Sequence, residues 1–386
     1  MQTQSKFRLL VVRLGAMGDI LHALPAVTAL RQAHPEWVID WVVEPRWQPL
    51  LAAEGSTGRG PARPVVDRFH LAPTKEWRRA PLSLKTIREI KALRTALRAG
   101  EYDAVLDLQG AIRSAVVGRL AGCSRLVGEA EPRERMARWL FTERVATRGA
   151  HVIEQDVELA SAVAGDALAP LAPWLPVDAA AEAWADKILP LGDPERKQSD
   201  IESHPSDKNK GVARVGHPSS SANHQNTPAV LISPGAGWGA KRWPAERYAE
   251  VAKGLAGRGL RVLVNAGPGE EPLVGAIVQG AGGAATPVAC SLAQLIALTR
   301  RIALCIAGDT GPLHLACALA RPVVGIYGPT DPSRNGPFGT RFRVLRSPDS
   351  RRDHARRAAP EAGLLTIQPE DVLRAADELL AEETAP

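Results

Sequence analysis

Three glycine-rich loops in the second half of the chain have residue types suited to binding phosphates. They span residues 233–244, 265–271 and 307–316. Each loop begins at the end of an apolar run that predicts a strand, so all three should open onto one edge of a sheet. In the third loop, Asp309, Thr310 and Gly311 precede an apolar helix, whose unpaired N–H groups and positive dipole end form an anion site. Helix capping by Asp309 or Thr310 is the simpler interpretation, and it is compatible with phosphate binding.

The other two loops add a cation and carboxylates. Lys241 follows flexible glycines in the first loop, where it can reach a diphosphate, although a lone lysine is often only solvated. Glu270 and Glu271 close the second loop, where a carboxylate commonly binds ribose hydroxyls. For Glu271, balancing the dipole of the next helix is an equally good explanation. Together the loops predict a site for a nucleoside diphosphate.

A further loop, near the start of the chain, contains an aspartate in an unexpected place. The residues 11–27 read VVRLGAMGDILHALPAV, which predicts a strand, a glycine loop that includes Gly18, and an amphipathic helix. The glycines are typical of a phosphate loop, yet Asp19 stands where a phosphate would favour a positive charge. Asp19 is therefore either the N-cap of a helix beginning at Ile20 or a residue with a chemical role.

Several well-known motifs are missing. Neither Gly15–Gly18 nor Gly235–Gly237 completes the dinucleotide pattern G-x-G-x-x-G, and the P-loop pattern does not occur. The four cysteines form no C-x-x-C pair, and no H-E-x-x-H or Cys/His cluster has metal-ligand spacing. These absences argue against a dehydrogenase, a disulfide framework and a zinc site. We therefore expect no cofactor and no metal.

Alternating strands and helices position these loops. Continuous apolar strands separated by helices predict parallel sheets covered on both faces, so the fold class is α/β. The chain has 386 residues, enough for two domains. We predict an N-terminal domain over residues 1–190 and a C-terminal domain over 229–386, with the alternative that the last helix packs back on the N-terminal domain. Two doubly wound domains would form a cleft between facing strand ends.

A polar segment interrupts this alternation. Residues 193–228 are rich in Ser, Asn, His, Lys and Pro and hold almost no large apolar side chains. Such a segment cannot bury enough surface to offset the entropy of ordering it. We predict a flexible insertion or linker over about residues 191–228, and consider a binding tail a weaker alternative.

Three segments together resemble glycosyltransferase family nine, the ADP-heptose:lipopolysaccharide heptosyltransferases. They are RLGAMGDILHALPAV, PGAGWGAKRWP and AGDTGPLHLACALARPVVGIYGPTDP. The resemblance spans nearly the whole chain outside 193–228. The first segment, together with YDAVLDLQG, is most similar to the heptosyltransferase I branch, which adds the first heptose to Kdo on lipid A. The resemblance implies a GT-B fold with two Rossmann-like domains, and an inverting, metal-independent transfer from ADP-L-glycero-β-D-manno-heptose.

The resemblance also implies residue roles. Asp19 matches the family's general base, which takes the proton of the attacking hydroxyl. Lys241 matches the lysine that holds the donor phosphates, and Glu270 the ribose-binding glutamate. Asp309 would contact the heptose, while Thr310 and Gly311 would bind phosphate. The full set expected around the donor is Gly18, Ser233, Lys241, Glu270, Asp309, Thr310, Gly311 and His314. Hydroxyl-bearing residues that the family often has before the lysine are partly replaced here by Gly235 and Ala236.

The charge of the chain suits an anionic acceptor. The formal net charge is +6, and residues 68–98 hold nine basic side chains against two acidic ones. Arginine binds carboxylates well because its guanidinium donates two parallel hydrogen bonds. The candidates for binding Kdo carboxylates and lipid A phosphates are Lys75, Arg78, Arg79, Arg113, Arg133 and His151. The alternative is a solvated helix face, which we expect for Arg94 and Arg98.

The same composition bears on location and partners. No apolar run is long enough to span a membrane, and no secretory signal is evident, so we expect a cytoplasmic enzyme at the inner face of the inner membrane. The region around Trp77 could touch that membrane. We expect a monomer that binds no nucleic acid. The alternatives are a family member that adds a later heptose or another sugar, and a non-catalytic nucleotide-sugar-binding protein.

Overall fold

The computed structural model describes residues 6–190, 227–352 and 357–383. The polar segment predicted over 191–228 lies almost entirely outside these residues. The described part contains two parallel six-stranded sheets, one in each half of the chain.

The first sheet has the strand order β3-β2-β1-β4-β5-β6, with every pair parallel. Its strands are β1 (Arg8–Val12), β2 (Val38–Val43), β3 (Arg68–Leu71), β4 (Ala104–Asp107), β5 (Leu126–Glu129) and β6 (Glu143–Val145). The central strands are almost fully buried because continuous apolar runs such as LLVV are covered by helices on both faces.

The second sheet repeats this order as β9-β8-β7-β10-β11-β12. Its strands are β7 (Ala229–Ser233), β8 (Arg261–Ala266), β9 (Thr286–Ala289), β10 (Leu304–Gly308), β11 (Val323–Tyr327) and β12 (Phe342–Arg346). In both sheets the first three strands are added on one side of the sheet, and the fourth strand then pairs with the other side of the first, so the strand order changes direction there. Ligands of such sheets bind in the crevice at that switch point, so the order confirms two doubly wound domains and locates their crevices.

Helices cover both faces of each sheet. In the first half they are α1 (Met17–Ala33), α2 (Thr74–Arg79), α3 (Leu84–Arg98), α4 (Ile112–Leu120), α5 (Val152–Ala164) and α6 (Ala179–Ile188). In the second half they are α7 (Ala245–Gly257), α8 (Glu271–Gly280), α9 (Leu292–Thr299), α10 (Gly311–Ala318), α11 (Pro332–Asn335) and α12 (Pro369–Glu383). Short 3₁₀ turns occur at Pro45–Leu50, Arg135–Trp139, Gly239–Lys241 and Leu364–Thr366.

Helix α1 differs from the amphipathic helix that we predicted. Its residues from Ile20 to Arg31 are all buried, including Pro25. The reason is its position: α1 packs against α5 on the first domain and against α10 on the second. A helix that contacts neighbours on several sides has no polar face, so the prediction of an amphipathic helix was wrong here.

The packing of the last helix in each half can be compared with the predicted domain boundaries. Helix α6 belongs to the predicted first domain but packs against α9 of the second. Glu182 of α6 accepts hydrogen bonds from Arg300 (2.5 Å) and Arg301 (2.5 Å). In the described part of the chain, the last helix does not pack back on the first domain, which the sequence left as an alternative. Instead α12 packs against α7 and strands β10 to β12, where its buried Val372, Ala376 and Leu379 complete the second core.

Candidate active site

The two switch points face each other across the domain interface. On the first domain, the loop after β1 leads into α1, and the loop after β4 holds Gln109. The Gln109 side-chain carbonyl accepts the N–H of Leu14 (2.8 Å), which ties the two loops together. On the second domain, the loops after β7 and β10 carry Lys241 and Asp309. The sequence therefore correctly grouped these loops at strand ends, as parallel topology requires.

Two glycines allow the N-termini of α1 and α10 to approach closely. A Cβ atom on Gly18 would lie 2.8 Å from the His314 ring, and one on Gly311 would lie 2.5 Å from the sulfur of Met17. Any larger residue at either position would push the helices apart. The positive ends of both helix dipoles therefore point toward the same part of the cleft, which favours an anion there.

Asp19 lies in the first turn of α1, at the cleft. The helix begins at Met17, so Asp19 is not the N-cap as the capping hypothesis had it. Its carboxylate nevertheless accepts the N–H of Ala16 (2.9 Å) and lies 3.6 Å from the guanidinium of Arg13. The Asp19 side chain stays 37% exposed, whereas that of Arg13 is 7% exposed. The Asp19 carboxylate thus accepts an N–H at the start of helix α1 and is still exposed to solvent. Its hydrogen bond to the helix end therefore does not prevent a chemical role.

Two buried acids lie behind Asp19. Asp107 accepts the N–H groups of Gln109 (2.8 Å) and Gly110 (2.9 Å), which shapes the loop after β4. Burial raises the pKa of Asp107 to about 6, against these bonds and the charge of Arg13. Burial also raises the pKa of Asp156, on α5, to about 7, and the negative charges of Asp19 and other carboxylates add to this although Arg13 opposes it. Both groups can therefore exchange protons close to neutral pH.

The second-domain side of the cleft holds a connected set of polar groups. The Lys241 ammonium pairs with the Asp309 carboxylate, and it also lies 4.4 Å from the centre of the Trp238 ring. The side chains of the pair are 10% and 9% exposed. Burial alone would raise the pKa of Asp309, but the hydrogen bond from His314 and the charge of Lys241 hold it well below its usual range. The lysine expected at the donor phosphates is therefore neutralised internally.

Histidines continue this chain across the domain interface. His314 Nε2 lies 3.2 Å from Asp309 Oδ1, and its Nδ1 lies 3.1 Å from Nε2 of His22. A carboxylate accepts only, so His314 Nε2 donates to it; with both rings neutral, His22 Nε2 then donates to His314 Nδ1. Burial lowers the pKa of His22 well below its usual value, and positive charge on Arg13, or on His314 or His151 when protonated, acts in the same direction. The sequence did not single out His22, although its position in the apolar segment LHALPA was a signal.

Other predicted donor residues are brought together at the end of β7. Glu270 accepts the N–H of Gly267 (2.9 Å), and its carboxylate lies directly against Gly235, where a Cβ atom would collide with it. Ser233 is buried, and its hydroxyl has no hydrogen-bond partner among the described residues. Thr310 precedes α10 as its N-cap, with its hydroxyl donating to the Gly308 carbonyl (3.3 Å). The glycine at 235 is thus explained by the space that Glu270 occupies.

The predicted acceptor residues fall into two groups. Lys75, Arg78, Arg79, Arg113 and Arg133 are exposed on the first domain. Burial lowers the pKa of Lys75, and the charges of Arg46, Arg113 and Arg78 add to this, which shows that these cations are neighbours. His151 lies instead in the domain interface. Its Nε2 donates to the Gly336 carbonyl (3.1 Å) and its Nδ1 accepts the Ile153 N–H (3.2 Å), so neither nitrogen is free for an acceptor here.

Trp77 itself is buried, although the region around it was the one that the sequence suggested could touch a membrane. Trp77 is 9% exposed and packs in the core beneath α3 with Leu93 and Leu97. Its indole N–H donates to Glu89 (2.8 Å), so both the apolar and the polar part of the side chain are satisfied inside the protein.

In the residues that the structure describes, no helix is long and apolar enough to cross a membrane. The same residues contain no group of three or more His, Cys, Asp or Glu side chains arranged to hold a metal ion.

Two facing doubly wound domains, with a helix N-terminus beside a buried Lys–Asp pair on one and a solvent-exposed carboxylate on the other, are typical of enzymes that use nucleotide sugars. The chain belongs to glycosyltransferase family 9, the heptosyltransferases, whose family model matches residues 90–363. It is therefore a glycosyltransferase of the GT-B fold.

Individual relatives agree with this assignment. The chain is 29% identical to lipopolysaccharide heptosyltransferase 1 of Escherichia coli K12 over 345 residues, which cover 88% of this chain and 94% of that protein. It is 23% identical to lipopolysaccharide heptosyltransferase 3 of E. coli over 377 residues, covering 95% and 97%. The solved structure of E. coli heptosyltransferase WaaC with ADP-2-deoxy-2-fluoro heptose matches with a TM-score of 0.69 and 26% identity, covering 96% of this chain and 99% of that one.

Proposed function

We propose that this protein transfers L-glycero-D-manno-heptose from ADP-heptose to a Kdo residue of the lipopolysaccharide inner core, with inversion at the anomeric carbon. The observation that carries the proposal is the solvent-exposed carboxylate of Asp19, opposite the Lys241–Asp309 pair at the N-terminus of α10. The similarity to a heptosyltransferase solved with an ADP-heptose analogue supports the donor. The relative named lipopolysaccharide heptosyltransferase 1 supports lipopolysaccharide as the acceptor class, and the resemblance of the first segment to the heptosyltransferase I branch leads us to propose Kdo.

In this proposal Asp19 is the general base. The acceptor hydroxyl attacks the anomeric carbon of the heptose, its proton passes to the Asp19 carboxylate, and the bond from that carbon to the diphosphate oxygen breaks. Because Asp19 lies on the domain opposite the donor loops, it can approach the face away from the leaving group, which inversion requires. A positioned base typically contributes 10²–10⁴-fold to the rate.

The second domain would stabilise the negative charge that develops on ADP as its bond to the sugar breaks. The N–H groups of α10, after Thr310 and Gly311, and the ammonium of Lys241 would stabilise the leaving diphosphate. Lys241 must then leave Asp309 at least in part, and His314 keeps the Asp309 carboxylate hydrogen-bonded when it does. Glu270 would bind the ribose. The Ser233 hydroxyl, buried without a partner, is available to a donor oxygen.

The domain roles follow from this arrangement. We propose that residues 1–190 bind the acceptor, that residues 229–386 bind the ADP-sugar, and that 191–228 connects them. Helix α6 would belong structurally to the second domain, since it packs on α9. Lys75, Arg78, Arg79, Arg113 and Arg133 would bind the anionic groups of the acceptor. We further propose a monomer that works at the cytoplasmic face of the inner membrane.

The test is an assay of the purified protein with ADP-heptose and three acceptors. They are Kdo₂-lipid A, the same lipid already carrying one heptose, and a neutral glycolipid, with product masses measured by mass spectrometry. Addition of one heptose to Kdo₂-lipid A alone is expected. Transfer only to the heptose-bearing lipid would assign a later step. Binding of ADP-heptose without any transfer would indicate a non-catalytic binding protein.

A further inference from the structure

Exposed apolar side chains concentrate on one part of the first domain. Among the described residues, the four most exposed large apolar side chains are Leu82 (88%), Leu84 (71%), Met136 (65%) and Trp139 (61%). Ile112 and Val116, one helical turn apart on α4, are 42% and 47% exposed. Single exposed apolar residues are common on protein surfaces, but a group of six needs an explanation.

These six side chains belong to elements that are neighbours in the fold. Helix α4 packs on one side against α3, which begins at Leu84, and on the other against the turn Arg135–Trp139. The N–H of Ile112 donates to the Glu134 carboxylate (2.8 Å), which joins the start of α4 to that turn. Because α3 and α4 follow parallel strands, both helices begin at the same edge of the sheet. We call the six side chains, Leu82, Leu84, Ile112, Val116, Met136 and Trp139, the α4 patch.

Cations surround the α4 patch. The guanidinium groups of Arg138 and Arg144 lie 5.0 and 5.4 Å from the centre of the Trp139 ring. Within the described residues, Arg138, Arg113 and Arg135 form no ion pair with a carboxylate. An exposed tryptophan flanked by arginines, beside other exposed apolar side chains, is the composition of surfaces that lie in a lipid headgroup layer.

We propose that the α4 patch docks on an anionic lipid bilayer, with Met136 and Trp139 entering the interface and the surrounding arginines contacting headgroup phosphates. Each basic residue near such a surface adds attraction to anionic lipids, while the apolar side chains supply the part of the affinity that salt does not screen. The inference rests on the proposed function in one respect. Arg113 adjoins Ile112, so docking would hold the acceptor-binding cations at the level where a lipid-linked acceptor presents its anionic groups.

The test uses vesicles that contain neither donor nor acceptor. Wild-type protein is sedimented with vesicles of phosphatidylglycerol and phosphatidylcholine, and with vesicles of phosphatidylcholine alone. The variant M136S/W139S is compared with W174S, which removes a 41% exposed tryptophan from the segment that contacts α1, on the opposite face of the first sheet. We expect binding to anionic vesicles that falls about tenfold or more in M136S/W139S and is unchanged in W174S.

A second variant examines the charge. R138Q/R144Q should lower binding to anionic vesicles and remove much of its salt dependence, while thermal melting confirms that all variants are folded. Equal binding by wild type and M136S/W139S would overturn the proposal, as would equal binding to neutral and anionic vesicles. A wild-type dimer in sedimentation velocity that M136S/W139S loses would overturn it in favour of a self-association surface.

Failure of the proposed function gives a different result. M136S/W139S should transfer heptose normally to a water-soluble, acyl-free Kdo acceptor, because neither residue is among the proposed donor or acceptor contacts. If the wild type binds anionic vesicles but transfers to no acceptor, the docking surface stands and the proposed reaction is wrong.

Discussion

The two domains have the same strand order, yet their switch points have opposite electrostatic designs. On the first domain, Asp19 is more than one-third exposed and its nearest cation, Arg13, is buried behind it. On the second domain, Lys241 and Asp309 are both about nine-tenths buried and paired with each other. The fold therefore determines where a ligand binds, while a few loop residues determine what the site can do.

The difference has a physical consequence for how each half responds to its substrate. In the proposed reaction, the exposed carboxylate of the first domain can accept a proton without rearrangement. In the same proposal, the buried pair of the second domain must partly separate before the ammonium can meet a phosphate, and the energy of that separation would come from the incoming diphosphate and from α10. Asp19 of the first domain is thus exposed without any ligand, whereas Lys241 of the second domain is already paired with the buried Asp309 carboxylate.

The strongest test of this comparison is D19N. Asparagine keeps an oxygen that can accept the N–H of Ala16 but cannot take a proton, so kcat should fall about 10²–10⁴-fold while ADP affinity is retained. Steady-state kinetics and calorimetric titration with ADP measure the two effects. The matched control is E154Q, since Glu154 accepts the N–H of His151 (2.9 Å) in the first turn of α5 in the same way. Near-normal kcat in D19N would mean that Asp19 is only a helix cap.

On the second domain, K241Q should weaken both the fold and the donor site. It leaves the buried Asp309 carboxylate without its cation, and breaking such a pair by removing one partner costs about 3–5 kcal/mol. The double variant K241Q/D309N should recover most of the free energy of unfolding in urea but not the ADP affinity. The exposed Lys253 provides the control K253Q. If K241Q binds ADP like the wild type, the lysine is structural and not part of the donor site.

The acids behind Asp19 predict a pH dependence of stability. The pKa of Asp156 is raised to about 7 in the fold, mainly by burial, against about 4 in an unfolded chain. The folded state therefore holds a proton that the unfolded state has lost between about pH 4 and pH 7, so stability should fall as pH rises through this window. The loss attributable to Asp156 should be on the order of 2–4 kcal/mol.

Urea unfolding at a series of pH values measures this dependence. D156N should flatten the fall and be more stable than the wild type at about pH 8, whereas the exposed D166N should leave it unchanged. Asp107, with its pKa raised to about 6, contributes in the same direction and remains in the variant. A D156N protein with the same pH profile as the wild type would show that Asp156 keeps its ordinary proton affinity.

Much of the fold could be predicted from the sequence because the central strands are continuous apolar runs. The edge strands β3, β6, β9 and β12 were not predicted, since they are short or largely exposed and have little apolar pattern. The inner strand β5 was also missed, because its four residues, LVGE, include only two adjacent large apolar side chains. The loops at the ends of β1, β7 and β10 could be placed because glycine and charged residues follow each strand directly. Contacts between distant segments could not be predicted, because no local sequence pattern indicates them. Examples are the pairing of Lys241 with Asp309, the link from His22 to His314, and the burial of Trp77.

The smallest expected effect concerns the cations of the first domain, which unlike Lys241 are exposed. R78A/R79A should raise KM for a soluble Kdo acceptor by about tenfold or less and leave KM for ADP-heptose nearly unchanged, because exposed charge pairs contribute only about 0–1 kcal/mol each. The matched control is R94A/R98A, which removes two other exposed arginines, both on α3.

The effect of ionic strength on KM should also differ between the acceptor side on the first domain and the donor side on the second. Raising the ionic strength should mimic R78A/R79A, because exposed charges are screened, and should affect the donor KM much less, because the Lys241 site is buried. A soluble acceptor without acyl chains keeps this measurement separate from membrane docking. If R78A/R79A and R94A/R98A give the same acceptor KM and the same salt response as the wild type, then the arginines of α2 are merely solvated. The acceptor's anionic groups would then have to be bound by Lys75, Arg113 and Arg133 alone, and the contrast between an exposed acceptor side and a closed donor side would rest on Asp19.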